Sequence, residues 1–311
     1  MSSRTTFLEQ ARHCEGRSPL YAELCRRFAD DPVAARILDR YGEGRGALAL
    51  LGGLHFLVLA GDASWDDPLE RHEDFLTEYV GRQDVQTNEA QRSWVLLPLF
   101  LHAAAGAEAV DVIELGASAG LNLVFDRYWC EYGEGSHGPA DAALVLRGEE
   151  RRPLPRALFE PRLNIRSRVG IDRAPIDVTT DEGVRLLESF VWPGQDERVE
   201  RLHAAIDAVR DDPPPMVAGD LVDVLPGVLD ALPPDGLTLV FQTGVFEYIS
   251  PDARTDVREI LERADRDLAF VASGRPRDEP RAWGMRIYRP GRGHEFAGHA
   301  DYHGTWLDYD L

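Results

Sequence analysis

The stretch that most limits what this chain can fold into is Asp111-Val112-Ile113-Glu114-Leu115-Gly116-Ala117-Ser118-Ala119-Gly120-Leu121-Asn122-Leu123. Asp111 to Leu115 alternates apolar and acidic residues as a short strand does, while Leu121, Val124, Phe125 and Tyr128 recur at helical spacing. The spacing predicts a strand, a sharp turn and a helix, with Gly116 and Gly120 supplying the backbone freedom that the turn requires.

The chain beyond it repeats that rhythm. Ile165 to Ile171 reads as a second strand ending in Asp172, a short third strand from Met216 ends in Asp220, and the apolar run Leu237 to Phe241 is followed by Gln242, Thr243 and Gly244. Helical spacing recurs over Val184 to Phe190, Glu197 to Val209 and Asp256 to Ala264, and Leu268 to Ala272 is the next strand. Such alternation predicts an α/β fold, a doubly wound, mostly parallel sheet whose ligand lies across the carboxyl ends of the strands, where Glu114, Asp172, Asp220 and Gln242 fall. Acids after strands are also common helix caps, so the four together carry more than each alone. The tail, with alternating runs at Gly284 to Tyr288, His294 to Ala297 and Thr305 to Tyr309, predicts an antiparallel meander at the sheet edge. Residues 129–165 are irregular and read as an insertion, whereas residues 1–105 show only helical patterns. The expected organisation is a helical region over 1–105, acting as lid and substrate pocket, and a cofactor-binding domain over 106–311.

Composition removes several functions. A formal net charge of -20 makes the surface repel phosphate backbones, so nucleic acid is not an expected partner. All 34 basic residues counted as Lys+Arg are arginine, which excludes Schiff-base chemistry and a P-loop lysine. Cys14, Cys25 and Cys130 are too few and too far apart for a disulfide framework or a CxxC site, and a reducing cytoplasm is the expected location. Met1 to Arg12 lacks the apolar core of a signal peptide. Ala47 to Ala60 is apolar but shorter than the roughly 20 residues of a membrane span and contains His55, so a buried helix and no membrane are expected. His294, His299, Asp301 and His303 match no zinc-ligand spacing, and no metal is expected.

Two chemistries use a turn like Gly116 to Gly120. In a nucleotide-type site, glycines let the backbone approach the ligand and an acid at the strand end takes a positive group. In a hydrolase, G-x-S-x-G is the nucleophile elbow, and Gly116-Ala117-Ser118-Ala119-Gly120 fits it. Ser118, then Asp220 or Asp267, then His294, His299 or His303 also satisfies the order Ser, Asp, His. Against that reading, a hydrolase needs several strands before the elbow, and residues 1–105 are helical in pattern. A further polar cluster opens an apolar helix: Thr87, Asn88, Glu89 and Arg92 precede or flank Trp94. Thr87 or Asn88 can cap that helix, and the same cluster can line a pocket.

VIELGASAGLNL, VGID-x-x-P and GDL-x-D-x-LP, followed by an apolar strand, a last strand and a hairpin, resemble the motif order of class I S-adenosylmethionine-dependent methyltransferases. More closely, TNEAQR, ELGASAGLNL-x-x-DRY, RVGID-x-x-P-x-D and VWP are similar to an uncharacterised bacterial family, domain of unknown function 2332, along nearly the whole chain. The methyltransferase resemblance implies a Rossmann-like seven-stranded sheet with S-adenosylmethionine as cofactor and S-adenosylhomocysteine as product. It places the methionine moiety over Gly116 to Gly120, with Ser118 and Asn122, and its amino group near Glu114. It implies ribose hydroxyls on Asp172, adenine against Asp220 and Leu221, and the reacting methyl near Gln242 and Thr243. Ser118 stands where a third glycine is frequent. Thr87, Asn88, Arg92 and Tyr128 are then the candidate contacts of a small-molecule or protein acceptor, and Glu89 and Tyr248 the candidate catalytic groups. A non-catalytic S-adenosylmethionine-binding or sensing module is compatible with the same residues.

Overall fold

The computed structural model describes residues 2–41, 46–83, 85–274 and 282–311. They form two compact units, Met1–Asn88 with Val178–His203, and Glu89–Asp177 with Ala204–Leu311.

The first unit is helical. It contains α1 (Ser3–Cys14), α2 (Pro19–Phe28), α3 (Pro32–Tyr41), α4 (Gly46–Ala60) and α5 (Glu73–Arg82). The helix starts are written in the sequence: Ser18 accepts the Tyr21 amide with Pro19 at the first helical position, and Asp31 accepts the amides of Val33 and Ala34 ahead of α3. The faces of these helices close on one core through Phe7, Tyr21, Phe28, Ile37, Leu50, Leu54 and Leu76. α4 is apolar nearly all round and is accordingly the most enclosed of them. No single helix among the described residues is long and apolar enough to cross a membrane.

The second unit opens with α6 (Arg92–Ala103), which runs into β1 (Val110–Leu115). The insertion supplies β2 (Trp129–Glu131), β3 (Ser136–His137), β4 (Val145–Leu146) and β5 (Glu149–Glu150), and β6 (Ile165–Asp172) returns the chain to the sheet. α7 (Asp181–Ser189) and the start of α8 (Asp196–Arg210) belong to the helical unit. Then come β7 (Met216–Ala218), α9 (Leu221–Ala231), β8 (Leu237–Gln242), α10 (Pro251–Arg263), β9 (Leu268–Gly274), β10 (Ala282–Arg289), β11 (Gly293–Asp301) and β12 (Trp306–Tyr309).

These strands make a nine-stranded sheet in the order β5-β12-β11-β10-β9-β8-β1-β6-β7. β7, β6, β1, β8 and β9 pair in parallel, and β10, β11 and β12 continue as the antiparallel meander. The sheet is therefore mixed and larger than the seven strands expected. The added edge is β5 from the insertion, paired with β12; Arg151 lies over the Trp306 ring and Arg152 pairs with Asp308 and Asp310. β8 is buried along its whole length. Val240 joins Ile113, Leu225, Val257 and Leu261 on the face covered by α9 and α10. Phe241 packs on the Phe100 ring of α6, 4.9 Å between centroids.

Candidate functional site

β1 lies between β6 and β8, and the chain visits β6 and β7 on one side before returning to β8 and β9 on the other. A crevice opens at the carboxyl ends of the strands at such a reversal. The turn at the end of β1 is fastened there. The Gly116 and Ala117 amides both donate to the Ile171 carbonyl, at 2.8 and 3.1 Å. Gly116, Ser118 and Gly120 have φ of 72°, 54° and 72°, and Ser118 is the one non-glycine residue with positive φ among the described residues. A Cβ on Gly116 would stand 2.5 Å from Val245 Cβ, and one on Gly120 2.7 Å from Pro214 Cγ. Glycine is thus required at both positions for conformation and for space. Asp172, closing β6, accepts the Ser118 amide at 2.8 Å on Oδ2 and the Ala174 amide at 2.9 Å on Oδ1.

The helix expected from Leu121 does not form. The amides of Gly120, Leu123 and Arg127 close on carbonyls three residues back, and only Phe125–Arg127 is regular, as a 3-10 turn. The Leu123 amide also lies near enough to the Glu114 carboxylate to oppose the rise in its pKa. The helix expected after the turn is therefore absent, and with it the free N-terminal amides that a helix offers to an anion.

Glu114 is 1% exposed at the carboxyl end of β1. Burial pushes its carboxyl well above the usual carboxylate range and the Asp172 charge adds to this, against Arg92 and the Leu123 amide. Its Oε2 takes no hydrogen bond from the described residues. Arg92, the first residue of α6 and itself 3% exposed, donates from Nε to the Tyr302 carbonyl at 3.1 Å and from Nη1 to the Thr243 carbonyl at 3.0 Å. Its guanidinium carbon lies 4.8 Å from the Trp283 ring and 4.6 Å from the Tyr302 ring. The buried Trp283 Nε1 also has no hydrogen-bond acceptor among the described residues.

The other sequence-predicted residues divide by what they touch. Tyr248 is 41% exposed, yet its hydroxyl end is shielded, and that desolvation with Tyr302 beside it holds the phenol above the ordinary tyrosine value. Glu89 is buried and accepts the Gln91 amide at 3.3 Å. Thr87 and Asn88 are the last residues of the first segment of the helical unit; neither caps α6, whose N-cap is Gln91. Asn122 Oδ1 accepts the Ser93 hydroxyl at 2.9 Å, a buried pair joining the turn to α6. Tyr128 is fully buried and donates to the Leu121 carbonyl at 2.6 Å, a core role. Asp220 caps α9 through the Val222 amide and lies 3.5 Å from Arg173, and Leu221 packs in the core below. Gln242 is fully buried, donating to the Ser273 carbonyl and accepting the Gly244 amide, both at 2.7 Å. It shapes the turn that presents Thr243.

The fold thus gathers Arg92, Glu114, Ser118, Asp172, Thr243 and Tyr248 at one end of the sheet. Trp283 and Tyr302 complete that end and carried no sequence signal, since both come from the meander and reach Arg92 only through the fold. Among the described residues no group of three or more His, Cys, Asp or Glu side chains is placed to hold a metal ion.

A family model described as "Uncharacterized protein conserved in bacteria (DUF2332)" matches residues 4–309. No curated protein matches the chain. A solved structure described as "Crystal structure of cofactor-bound Rv0187 from MTB" is 15% identical, covering 70% of this chain and 69% of that one, with a TM-score of 0.25.

Proposed function

The chain belongs to the DUF2332 family of uncharacterised bacterial proteins, and from its site we propose that it is an S-adenosylmethionine-dependent methyltransferase acting on a small-molecule or protein acceptor. The observation that carries this reading is the buried Glu114 Oε2, at the carboxyl end of β1 and under the glycine turn, which takes no hydrogen bond from the described residues. A buried carboxylate is stable only with a cationic, hydrogen-bonding partner, and an amino-acid ammonium is one. The strand order β7-β6-β1-β8-β9, reversing at β1, supports a Rossmann-like arrangement around it.

The residues present fit that cofactor. Glu114 would hold the ammonium of the methionine moiety. Asp172 keeps a lone pair on each oxygen after its two backbone bonds, enough for ribose hydroxyls. Asp220 and Leu221 would border the adenine. Bound there, the cofactor supplies an electrophilic methyl group on a sulfonium. Arg92 orients the Thr243 carbonyl and sets the local positive potential. Glu89 is the candidate base for an acceptor that must lose a proton, and Tyr248, with its phenol held protonated, is the candidate donor or orienting group.

Beside the G-x-S-x-G match, the positive φ of Ser118 also favours a serine hydrolase. The elbow of that fold needs a strand, a turn and a helix, and here turns and a 3-10 segment follow. Titration calorimetry with S-adenosylmethionine and S-adenosylhomocysteine tests the proposal. Binding is expected for both, weakened by roughly 10- to 100-fold in Glu114→Gln, the scale of one charged hydrogen bond. Failure of either compound to bind, with Ser118 labelled by a fluorophosphonate, would overturn it.

A further inference from the structure

The helical unit contains a cavity of about 370 Å³ that the proposed reaction does not use. It is walled by His55 of α4, Glu188 of α7, Trp192 in the α7–α8 turn, and Asp196, Val199 and Glu200 from the start of α8. The wall is held from behind: Ser18 donates to the Pro193 carbonyl at 2.8 Å, and the Trp192 ring rests 6.2 Å from that of Tyr21.

His55 is 8% exposed. Its Nδ1 is 3.1 Å from the Ser189 carbonyl, which can only accept, so Nδ1 carries the hydrogen and Nε2 is left as an acceptor. The other contact of His55, at 3.4 Å from the Tyr21 hydroxyl, also falls on Nδ1, and no hydrogen bond from the described residues reaches Nε2. Burial lowers the His55 pKa, against the Ser189 bond and the Glu188 charge, which keeps the ring neutral at neutral pH. Glu188 gives one oxygen to His203 at 3.1 Å and has the other uncommitted. Asp196 and Glu200 add two carboxylates, and no arginine lines the cavity. Apart from the Trp192 indole N–H, the polar side chains of the lining are thus acceptors, mostly anionic, beside valine side chains.

A ligand for such a wall must be positive, must bring N–H donors and must have a short apolar body. We propose that this cavity binds a small organic cation of the alkylammonium or diamine class, its N–H groups donating to His55 Nε2 and Glu188 while Asp196 and Glu200 supply the field. A metal ion does not fit the same walls, since no set of three ligating side chains converges among the described residues.

Titration of the full chain with 1,4-diaminobutane, followed by calorimetry and by tryptophan fluorescence, tests this without reference to the methyl-transfer reading. Saturable binding of one diamine per chain is expected, with none of the neutral isostere 1,4-butanediol. Tetramethylammonium, which has no N–H, should bind at least about tenfold more weakly, the cost of roughly one hydrogen bond. Glu188→Gln and the exposed Glu200→Gln should each weaken the diamine by about three- to tenfold, as expected for one carboxylate of a partly open site. Asp252→Asn on α10, outside the cavity, should change nothing. Absence of saturation up to roughly 10 mM would overturn the proposal. Equal affinity in Glu188→Gln, Glu200→Gln and Asp252→Asn would do so too, because it would reduce binding to the general attraction of a chain with net charge -20.

Discussion

Replacing Glu114 by Gln should make the ligand-free protein more tolerant of rising pH while harming the site. The unfolded carboxyl titrates near 4.5, and burial raises it well above that in the folded chain. Between the two values the folded state binds a proton that the unfolded state does not, so stability falls as pH rises through this window. One such proton tilts stability by at most about 1.4 kcal/mol per pH unit. Spread over the melting entropy of 311 residues, that is roughly 2 °C per pH unit. The amide introduced by Glu114→Gln is an uncompensated polar group of its own, but it is neutral and contributes an offset that does not vary with pH. Calorimetric melts of wild type and Glu114→Gln at about pH 5, 6 and 7 should therefore diverge progressively, wild type falling behind at each step. Parallel curves would show that Glu114 titrates normally, and the argument from its burial would fail. The same linkage predicts that a cation bound at Glu114 expels a proton. Calorimetry of S-adenosylmethionine in buffers of different ionisation enthalpy should then show a buffer-dependent heat that Glu114→Gln abolishes.

Gly116→Ala places a Cβ 2.5 Å from Val245 Cβ at a φ of 72°; urea denaturation should show a loss of about 2–4 kcal/mol, and a loss below about 0.5 kcal/mol would mean that the turn is freer than its geometry. Gln242→Leu leaves the Ser273 carbonyl and the Gly244 amide unsatisfied and should cost about 1–3 kcal/mol by the same measurement. Asp111→Asn weakens the bonds from Arg166 and Ser167; with Arg166 partly open to solvent, a loss of about 2 kcal/mol at neutral pH is expected. In Asp111 burial acts to raise the pKa, but the Arg166 and Ser167 bonds outweigh it and the net shift is downward. Its contribution should thus be complete above the unfolded value of 3.8 and vanish as pH falls below that, so the two proteins should converge in acid.

The strands and their acidic ends were legible because a strand's alternation and a buried strand's apolar run are local patterns. The helix expected at Leu121 to Tyr128 does not form although its apolar spacing is helical: the amides of Leu123 and Arg127 close on carbonyls three residues back, and the turn before them is tied to Asp172, 54 positions after Ser118, a contact no local pattern carries. Gln242 has a structural role that the sequence alone does not show: it ends an apolar strand as a ligand contact would, and both ends of its amide serve the neighbouring backbone. Trp283 and Tyr302 were invisible as site residues because their relation to Arg92 spans about 200 positions of chain, the Tyr302 bond joining residues 210 apart. Amphipathic spacing found α7 and α8 but does not say which core a helix faces, and α7 with the start of α8 packs in the helical unit.

β1 carries its own control for the functional argument, because it buries two acids. Asp111, at the amino end, is 0% exposed and is met by Arg166 and by the Ser167 hydroxyl, so its carboxyl is held below the usual range. Glu114, at the carboxyl end, is 1% exposed and is pushed the other way, with one oxygen taking no hydrogen bond from the described residues. Both are closed to solvent, Glu114 the more deeply, and they differ as well in provision of partners. Nor is a cation missing from the neighbourhood, since Arg92 is close enough to oppose the shift, yet its Nε and Nη1 bonds go to the carbonyls of Tyr302 and Thr243. A strand under selection for stability alone would gain by an apolar residue at position 114. Local conflict that the rest of a fold tolerates tends to mark a functional site, and here the conflict coincides with the strained Ser118 and with the reversal of strand order. The acid at position 114 is accounted for if its partner is a ligand.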